Sequence, residues 1–248
     1  MIPLATLKKT LSNGMTLMVG ASGPLSAETP GNGGFRIWPY SSEQAAAEEA
    51  VALAQGMAVK HMAYNTGCAG AKVVCNIGDR TIAEVDKEEL LNALNEMLHE
   101  LDGSMYTGCD MNSTLDDMAY LAERSPYILA AIGNDTVDPN AATAHGVVGG
   151  ILASLGADVN ATDDPTAKAT LLVGKRLIVH GCGAVGEVVA AELVSMGATV
   201  FTIDAVQGKA DVEGCVNISA QANGETWWTI PVDAIVPCSK SGLITQEM

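Results

Sequence analysis

The stretch that decides the fold is Gly-Cys-Gly-Ala-Val-Gly at residues 181–186. An apolar segment, residues 176–180, comes directly before it and is typical of a buried strand. Residues from about 184 to 196 predict a helix, and residues 199–203 predict a second strand. A strand, a glycine-rich turn, a helix and a strand in this order form a βαβ unit with parallel strands. We therefore expect an α/β fold with a doubly wound sheet in this half of the chain.

The three glycines of this G-x-G-x-x-G stretch each have a mechanical reason in a dinucleotide-binding turn. Gly181 permits the tight turn, Gly183 lets the backbone approach a pyrophosphate, and Gly186 lets the helix and strand pack closely. The free N–H groups of the helix N-terminus would then face the phosphates. The alternative is a close-packed turn without a ligand. The cofactor-binding residues predicted from this unit are Gly181, Gly183, Ala184, Val185, Gly186 and Asp204.

Asp204 stands at the end of the second predicted strand. A carboxylate at this position accepts a hydrogen bond from a ribose 2′-OH and repels a 2′-phosphate. The sequence therefore favours NAD over NADP as the cofactor.

The balance of charge excludes several classes of partner. The chain has 248 residues, of which 13 are basic and 29 acidic, so its formal net charge is −16. This field repels phosphate backbones and anionic lipids, so we expect neither nucleic acid nor a membrane as a partner. Apolar residues make up 48% of the chain, which excludes a disordered protein. No apolar run reaches the ~18 residues that a membrane span needs.

The cysteine and histidine pattern gives no sign of a metal centre. The six cysteines include no C-x-x-C pair, and the four histidines are scattered along the chain. We therefore expect no metal site, and reduced thiols in a cytoplasmic protein. The N-terminal residues carry two lysines and no small-residue cleavage site, so they do not predict a signal peptide.

The first half of the chain predicts strands and helices joined by small-residue loops. Asn13-Gly14 indicates a hairpin turn, and residues 88–101 have the apolar spacing of an amphipathic helix. A second helix is expected from Ser41 or Ser42 to about Gln55. Glycine and small residues predict loops at 23–34 and 67–72, followed by strands at 35–38 and 73–75.

The pattern changes near residue 140. Residues 141–155 predict a nearly uncharged, glycine-interrupted helix that is either buried or a pivot, and the βαβ unit follows it. We therefore expect two α/β domains, residues 1–138 and residues 139–248.

Two lysines in the first half, Lys60 and Lys72, are candidates for chemistry. Both lie in segments of small residues, and together they could face a single cleft. A lysine that is desolvated beside another cation loses basicity and can accept a proton near neutral pH. Asp110 could hold the pair in place and carry protons. The alternative is two surface lysines and an acid that caps a helix.

Four segments resemble the glutamate/leucine/phenylalanine/valine dehydrogenase family in the order that the family has them. They are G-G-x-R-x-W-x-Y at 33–40, G-M-x-x-K at 56–60, G-x-x-G-x-K at 67–72 and D-x-x-x-T-x-D-D-M at 110–118. P-x-x-x-T-A-x-G-V at 139–147 and Val-Pro-Cys at 236–238 are also similar to the family. The resemblance covers about residues 23–240 and is strongest to the leucine and phenylalanine branch.

The resemblance implies a reaction and roles for residues at matching positions. The reaction is the reversible, NAD-dependent oxidative deamination of an L-amino acid to a 2-oxo acid and ammonia. Lys72 would be the general base and Asp110 would assist proton transfer. By the same resemblance, Lys60 would anchor the substrate carboxylate, and the backbone of Gly33 and Gly34 would lie close to the substrate. Thr143 would lie near the nicotinamide in the cleft between domains, and Cys238 would belong to the later cofactor turn.

The family also implies a homo-oligomer that assembles through the first domain. The chain departs from the family at Asn112, where a glycine is usual, and within the loop that carries Lys72. It also ends soon after Leu243, before the further strands that the family has, so we expect a shortened cofactor domain. The alternative function is a catalytically weakened relative that binds a dinucleotide or a partner subunit.

Two residues bear on the substrate side chain. In the family, the position two residues before the aspartate lines the side-chain pocket, and here it is Gly108. A glycine leaves room for a ring, and the amide of Asn32 could bond to an indole N–H or a phenol. We therefore expect an aromatic substrate. The alternative is that Gly108 is a turn glycine and Asn32 a solvated loop residue.

Overall fold

The structure is a computed structural model that describes residues 5–134, 136–157, 164–222, 226–239 and 242–246. The chain divides into two compact units, Met1–Asn134 and Asp135–Met248, and each is described by itself. No helix among the described residues is long and apolar enough to cross a membrane.

The first unit is built on a five-stranded mixed sheet. Its strands are β1 (Ala5–Thr10), β2 (Thr16–Ala21), β3 (Gly31–Trp38), β4 (Ala69–Asn76) and β5 (Met105–Cys109), in the spatial order β1-β2-β4-β3-β5. β2 runs antiparallel to both of its neighbours, β1 and β4, and β3 runs parallel to both β4 and β5. The predicted hairpin at Asn13-Gly14 joins β1 to β2.

Three helices cover the two faces of this sheet. They are α1 (Glu43–Tyr64), α2 (Lys87–Glu100) and α3 (Leu115–Ala122), and a short 3₁₀ helix spans Ile82–Glu84. Alternate residues of β3 and β4, such as Phe35 and Val73, pack against apolar residues of α2 and α3. The opposite face of the sheet lies under α1, where Met18 and Val74 pack against alanines of the helix.

Helix α1 is longer than the sequence indicates. The Ser42 side chain accepts from the N–H of Ala45 at the start of the helix, and Asn65 ends it in the left-handed conformation. The predicted end near Gln55 is wrong, because Gly56 is accommodated in the helix interior at a cost of about 1 kcal/mol. The extra turns bring Lys60 into the helix.

Parts of two predicted loops are strands in the structure. Residues 31–34 belong to β3 and residues 69–72 to β4, and the two strands pair in parallel. A β-carbon on Gly33 would overlap the carbonyl oxygen of Ala71, so small residues are needed for the close approach of these strands. A run of small residues here indicates tight strand packing, so the loop prediction is wrong for residues 31–34 and 69–72, whereas residues 23–30 and 67–68 lie outside strands.

The second unit has a four-stranded parallel sheet in the order β8-β7-β6-β9. Its strands are β6 (Arg176–His180), β7 (Thr199–Ile203), β8 (Val216–Asn217) and β9 (Ala234–Pro237). Its helices are α4 (Pro139–Ser154), α5 (Pro165–Lys168), α6 (Gly186–Ser195) and α7 (Ser219–Ala222), with a 3₁₀ helix at Trp227–Thr229. The predicted strands 176–180 and 199–203 and the α/β fold class are confirmed.

Both faces of this parallel sheet are covered. Helices α4 and α6 pack on one face through apolar residues such as Val148 and Leu193. Trp227 packs on the other face against Ile178 and Ile203. One stripe of α4, Ala144, Val148 and Leu152, is buried in this unit.

Candidate functional site

A buried ion pair joins Lys72 and Asp110 in the first unit. Lys72 lies on β4 and is 5% exposed, and its Nζ is 2.9 Å from Oδ2 of Asp110. Asp110 follows the last residue of β5. Because β3 lies between β4 and β5, the two side chains meet over the face of β3. The structure therefore brings the predicted base and the predicted proton carrier together.

The turn after β5 fixes the position of Asp110. The Ser113 hydroxyl accepts from the N–H of Asp110 at 2.8 Å and donates to the carbonyl oxygen of Phe35 at 2.6 Å. Asn112 has a positive φ of 64° and donates through its side chain to the carbonyl oxygen of Ile37. Asparagine tolerates this conformation better than most residues, so it can stand where the family has glycine.

The paired glycines of β3 have structural reasons that differ from the predicted one. A β-carbon on Gly34 would lie 2.6 Å from the carbonyl oxygen of Cys109 and 2.8 Å from Cβ of Asp110. Gly34 therefore lets the Asp110 turn lie directly against β3, just as Gly33 lets β4 approach on the other side. Contact of their backbone with a substrate stays a prediction.

The charges around Lys72 make it a weaker base than a free lysine. Burial lowers the pKa of Lys72, the adjacent Asp110 opposes this shift, and the positive charges of Arg36 and Lys60 add to it. Burial raises the pKa of Asp110, but the charges of Lys72 and Arg36 outweigh it, so this pKa lies below its ordinary value. The net directions favour an ionised Asp110 beside a lysine that loses its proton more readily than usual.

The last turns of α1 carry Lys60 and, next to it, His61, which contacts Asn32 on β3. Lys60 is exposed on α1, and its charge reaches Lys72. The next residue, His61, places Nε2 3.2 Å from the carbonyl oxygen of Asn32 and Nδ1 2.7 Å from the Thr66 hydroxyl. These bonds tie the end of α1 to the start of β3. The substrate-binding roles of Lys60 and Asn32 stay predictions.

Two members of the site, Arg36 and Glu49, are missing from the predicted set. Nε of Arg36 donates to Oδ2 of Asp110 at 2.7 Å, and its Nη1 donates to Oε1 of Glu49 on α1 at 2.8 Å. Arg36 lies in the G-G-x-R-x-W-x-Y segment, but no sequence pattern pairs it with a glutamate on the following helix. We call Arg36, Glu49, Lys72 and Asp110 the charged cluster.

The structure contradicts the reason given for Gly108. The direction that a β-carbon would take at Gly108 is occupied by the carbonyl oxygen of Leu129, with which it would overlap. Residues 127–129 run beside β5 and exchange backbone hydrogen bonds with Thr107. The space beside Gly108 is therefore filled by the protein's own backbone, and the glycine provides no room for a substrate ring.

The turn at residues 181–186, which we call the glycine turn, has the geometry that its sequence predicts. Gly181 has a φ of 97°, and a β-carbon there would lie 2.6 Å from the backbone of Ser239. A β-carbon on Gly186 would overlap the carbonyl oxygen of Gly181. A β-carbon on Gly183 would meet nothing within 4 Å, so the backbone at this residue faces open space.

Asp204, directly after β7, holds the glycine turn in place through a hydrogen bond to its backbone. Its Oδ2 accepts from the N–H of Cys182 at 2.7 Å, and its Oδ1 accepts from the N–H of Val206 at 2.8 Å. Two cavities adjoin this region. One of about 300 Å³ is lined by residues that include Gly183, Ala184 and Lys209, and one of about 500 Å³ includes Asp204. The open backbone, the carboxylate and the adjoining cavities fit a dinucleotide.

The other predicted cofactor residues lie in three separate parts of the second unit. The Val185 side chain packs against the apolar core, so only its backbone faces the turn. Cys238 follows β9, and its N–H donates to the carbonyl oxygen of His180 at 2.8 Å. Thr143 is exposed on α4, where its hydroxyl donates to the carbonyl oxygen of Pro139. The roles of Thr143 and Cys238 toward a cofactor stay predictions.

Comparison with known proteins agrees with the sequence resemblance. Residues 25–127 match the family model described as Glu/Leu/Phe/Val dehydrogenase, dimerisation domain. The resemblance to the Glu/Leu/Phe/Val dehydrogenase family is confirmed. Among its relatives, phenylalanine dehydrogenase of Lysinibacillus sphaericus is 29% identical over 229 residues, which are 88% of this chain and 56% of the relative. Leucine dehydrogenase of Bacillus cereus is 31% identical over 225 residues, which are 88% of this chain and 57% of the relative.

A solved structure has a fold similar to that of this chain. The crystal structure of L-tryptophan dehydrogenase from Nostoc punctiforme matches with a TM-score of 0.61 and 22% identity, over 97% of this chain and 65% of the other. The chain thus spans a little more than half the length of the curated relatives that it matches.

Proposed function

We propose that the protein catalyses the NAD-dependent oxidative deamination of an L-amino acid to a 2-oxo acid and ammonia. The observation that carries this proposal is the buried Lys72–Asp110 pair, in which burial lowers the pKa of the lysine. The glycine turn supplies the second requirement, a place for a dinucleotide. In this proposal residues 1–138 form the substrate-binding and catalytic domain and residues 139–248 the dinucleotide-binding domain.

Three residues of the first unit have tasks in this proposed reaction. Lys60 anchors the substrate carboxylate, and Asp110 accepts from the substrate amino group. Lys72, when neutral, takes a proton from the water that attacks the iminium carbon and returns it to the amino nitrogen. The C–N bond then breaks, ammonia leaves, and Lys72 takes the proton of the new hydroxyl as it becomes the 2-oxo group. Bound NAD would supply the acceptor for the hydride that leaves Cα. The protein contributes position and charge, which is how it lowers the barrier.

The preference for NAD rests on Asp204. Both of its oxygens already accept a backbone N–H, yet each carboxylate oxygen has a second acceptor position for a ribose hydroxyl. A 2′-phosphate beside this carboxylate would meet a like charge.

We also propose that the substrate is an aromatic amino acid. Gly108 no longer argues for it, since the Leu129 carbonyl fills the space beside it. What supports it is the side-chain amide of Asn32, for which no hydrogen-bond partner is seen among the described residues, together with relatives named for phenylalanine and tryptophan. The same resemblance supports a cytoplasmic homo-oligomer, because residues 25–127 match a dimerisation domain.

The test is NADH formation by the full chain with a panel of L-amino acids at alkaline pH, repeated with NADP. We expect NAD reduction with phenylalanine, tryptophan or tyrosine, weaker reduction with leucine and valine, and little activity with NADP. Binding of NADH, measured by fluorescence, runs in parallel. If NADH binds but no amino acid reduces NAD, the weakened-relative alternative replaces the enzyme proposal.

A further inference from the structure

We propose that Arg36, held by Glu49, is a positioning residue for the Lys72–Asp110 pair. Arg36 fixes the orientation of the Asp110 carboxylate. One carboxylate oxygen then accepts from both Arg36 and Lys72, and the other can accept from the substrate. This inference rests on the proposed function for its catalytic consequence, but its geometry and electrostatics can be tested without any turnover.

The guanidinium of Arg36 is held at two points by two separate elements. It donates to Asp110 through Nε at 2.7 Å and to Glu49 on α1 through Nη1 at 2.8 Å, and its side chain is only 14% exposed. A planar guanidinium presents its donors in a rigid fork, so two anchored donors fix its plane. The orientation that α1 imposes on Arg36 is therefore passed to Asp110.

The two oxygens of Asp110 are used differently as a result. Its Oδ2 lies 2.7 Å from Nε of Arg36 and 2.9 Å from Nζ of Lys72. No hydrogen bond to Oδ1 is seen among the described residues, and the side chain is 23% exposed. Oδ1 is therefore the acceptor available to a substrate amino group, and rotation of the carboxylate would exchange the two oxygens.

The charged and titratable groups around Lys72 come from several elements. Asp110 follows β5, Arg36 lies on β3 and Lys60 lies on α1, and all three act on Lys72. Glu49 on α1 and Tyr40 after β3 act on Arg36. Burial raises the pKa of Tyr40 to about 12, so this phenol stays neutral over the pH range of interest.

This arrangement makes the effects of Arg36 and Glu49 on Lys72 opposite in sign. Without the positive charge of Arg36, Lys72 is no longer repelled by it and does not share the Asp110 carboxylate with it, so the pKa of Lys72 should rise. Without the negative charge of Glu49, the positive charge of Arg36 is no longer partly neutralised. It then repels the Lys72 ammonium more strongly, so the pKa of Lys72 should fall. A glutamine at position 49 can still accept from Arg36 through its amide oxygen, which preserves the geometry.

The experiment is competitive acetylation of the full chain with acetic anhydride, with the pH dependence of Lys72 labelling read by mass spectrometry. In Arg36→Gln we expect the midpoint for Lys72 to rise by about one pH unit, and in Glu49→Gln to fall by a smaller amount. Lys8→Gln, which breaks an exposed pair with Glu43, should leave the midpoint unchanged. Midpoints that are unchanged in both cluster variants, or that move in the same direction, would overturn the inference.

Two further measurements separate this inference from the proposed function. Arg36→Lys keeps the charge and loses the fork, so its labelling midpoint should stay near that of the wild type while kcat falls about 10-fold or more. Opposite midpoint shifts in a chain that oxidises no amino acid would retain the inference and reject the proposed function. If Arg36→Gln unfolds, as thermal melting would show, Glu49→Gln alone decides, and an unchanged or raised midpoint there would overturn the inference.

Discussion

The charged cluster of the first unit and the glycine turn of the second are assembled in different ways. The glycine turn is six consecutive residues between a strand and a helix, and its shape follows from steric needs of the backbone. The charged cluster draws one side chain each from β3, α1, β4 and the turn after β5. A local site can be perturbed one residue at a time, whereas a cluster held by shared contacts responds as a unit.

The largest effect that this comparison predicts is in the charged cluster. Lys72→Ala should lower kcat about 10²- to 10⁴-fold, the usual contribution of a general base, while the affinity for NADH stays within about 2-fold of the wild type. Steady-state kinetics and fluorescence titration would measure the two quantities.

Lys60→Ala is the matched variant, because it removes a second lysine, whose charge acts on Lys72. As an anchor for the substrate carboxylate it should act mainly through KM, since it contributes to ground state and transition state alike. A Lys72→Ala protein that keeps more than about a tenth of the wild-type kcat would contradict the assignment of the base.

The difference between the two regions also explains what could be predicted from the sequence. The strands at 176–180 and 199–203, and the roles of Gly181 and Gly186, follow from local patterns and agree with the structure. The Arg36–Glu49 contact joins residues on two elements, and the space beside Gly108 is filled by a segment some twenty residues further along the chain, about one supersecondary unit away. No local pattern reports such contacts, so the sequence indicates a pocket beside Gly108 where the structure has packed backbone.

A smaller effect is expected from two substitutions in the glycine turn. Gly186→Ala forces its β-carbon into the carbonyl oxygen of Gly181, so it should destabilise the protein by roughly 1–3 kcal/mol. Gly183→Ala meets no atom within 4 Å and needs no positive φ, so stability should change by about 0.5 kcal/mol or less while NADH binds more weakly. Thermal unfolding and NADH titration separate the two.

Gly149→Ala on α4 provides the control for these glycine variants. Gly149 is exposed, and a β-carbon there meets nothing within 4 Å, so alanine should leave NADH affinity unchanged and stabilise the helix slightly. Equal losses of NADH affinity in Gly183→Ala and Gly149→Ala would remove the special role of the turn backbone.

The smallest effect is the pH dependence that Asp110 gives to folding. Its pKa lies below the ordinary value of 3.8 in the folded protein, because Lys72 and Arg36 favour the ionised form and outweigh burial. A depressed carboxyl pKa contributes stability that is complete above the unfolded-state pKa and is lost as the pH falls through the folded-state value. The difference in unfolding free energy between wild type and Asp110→Asn should therefore be constant above about pH 5 and shrink below pH 4. Urea unfolding of both proteins across this range measures it, with Asp116→Asn on the exposed first turn of α3 as the control. A difference that grows on acidification would mean that the two cations do not stabilise the Asp110 carboxylate in the folded chain.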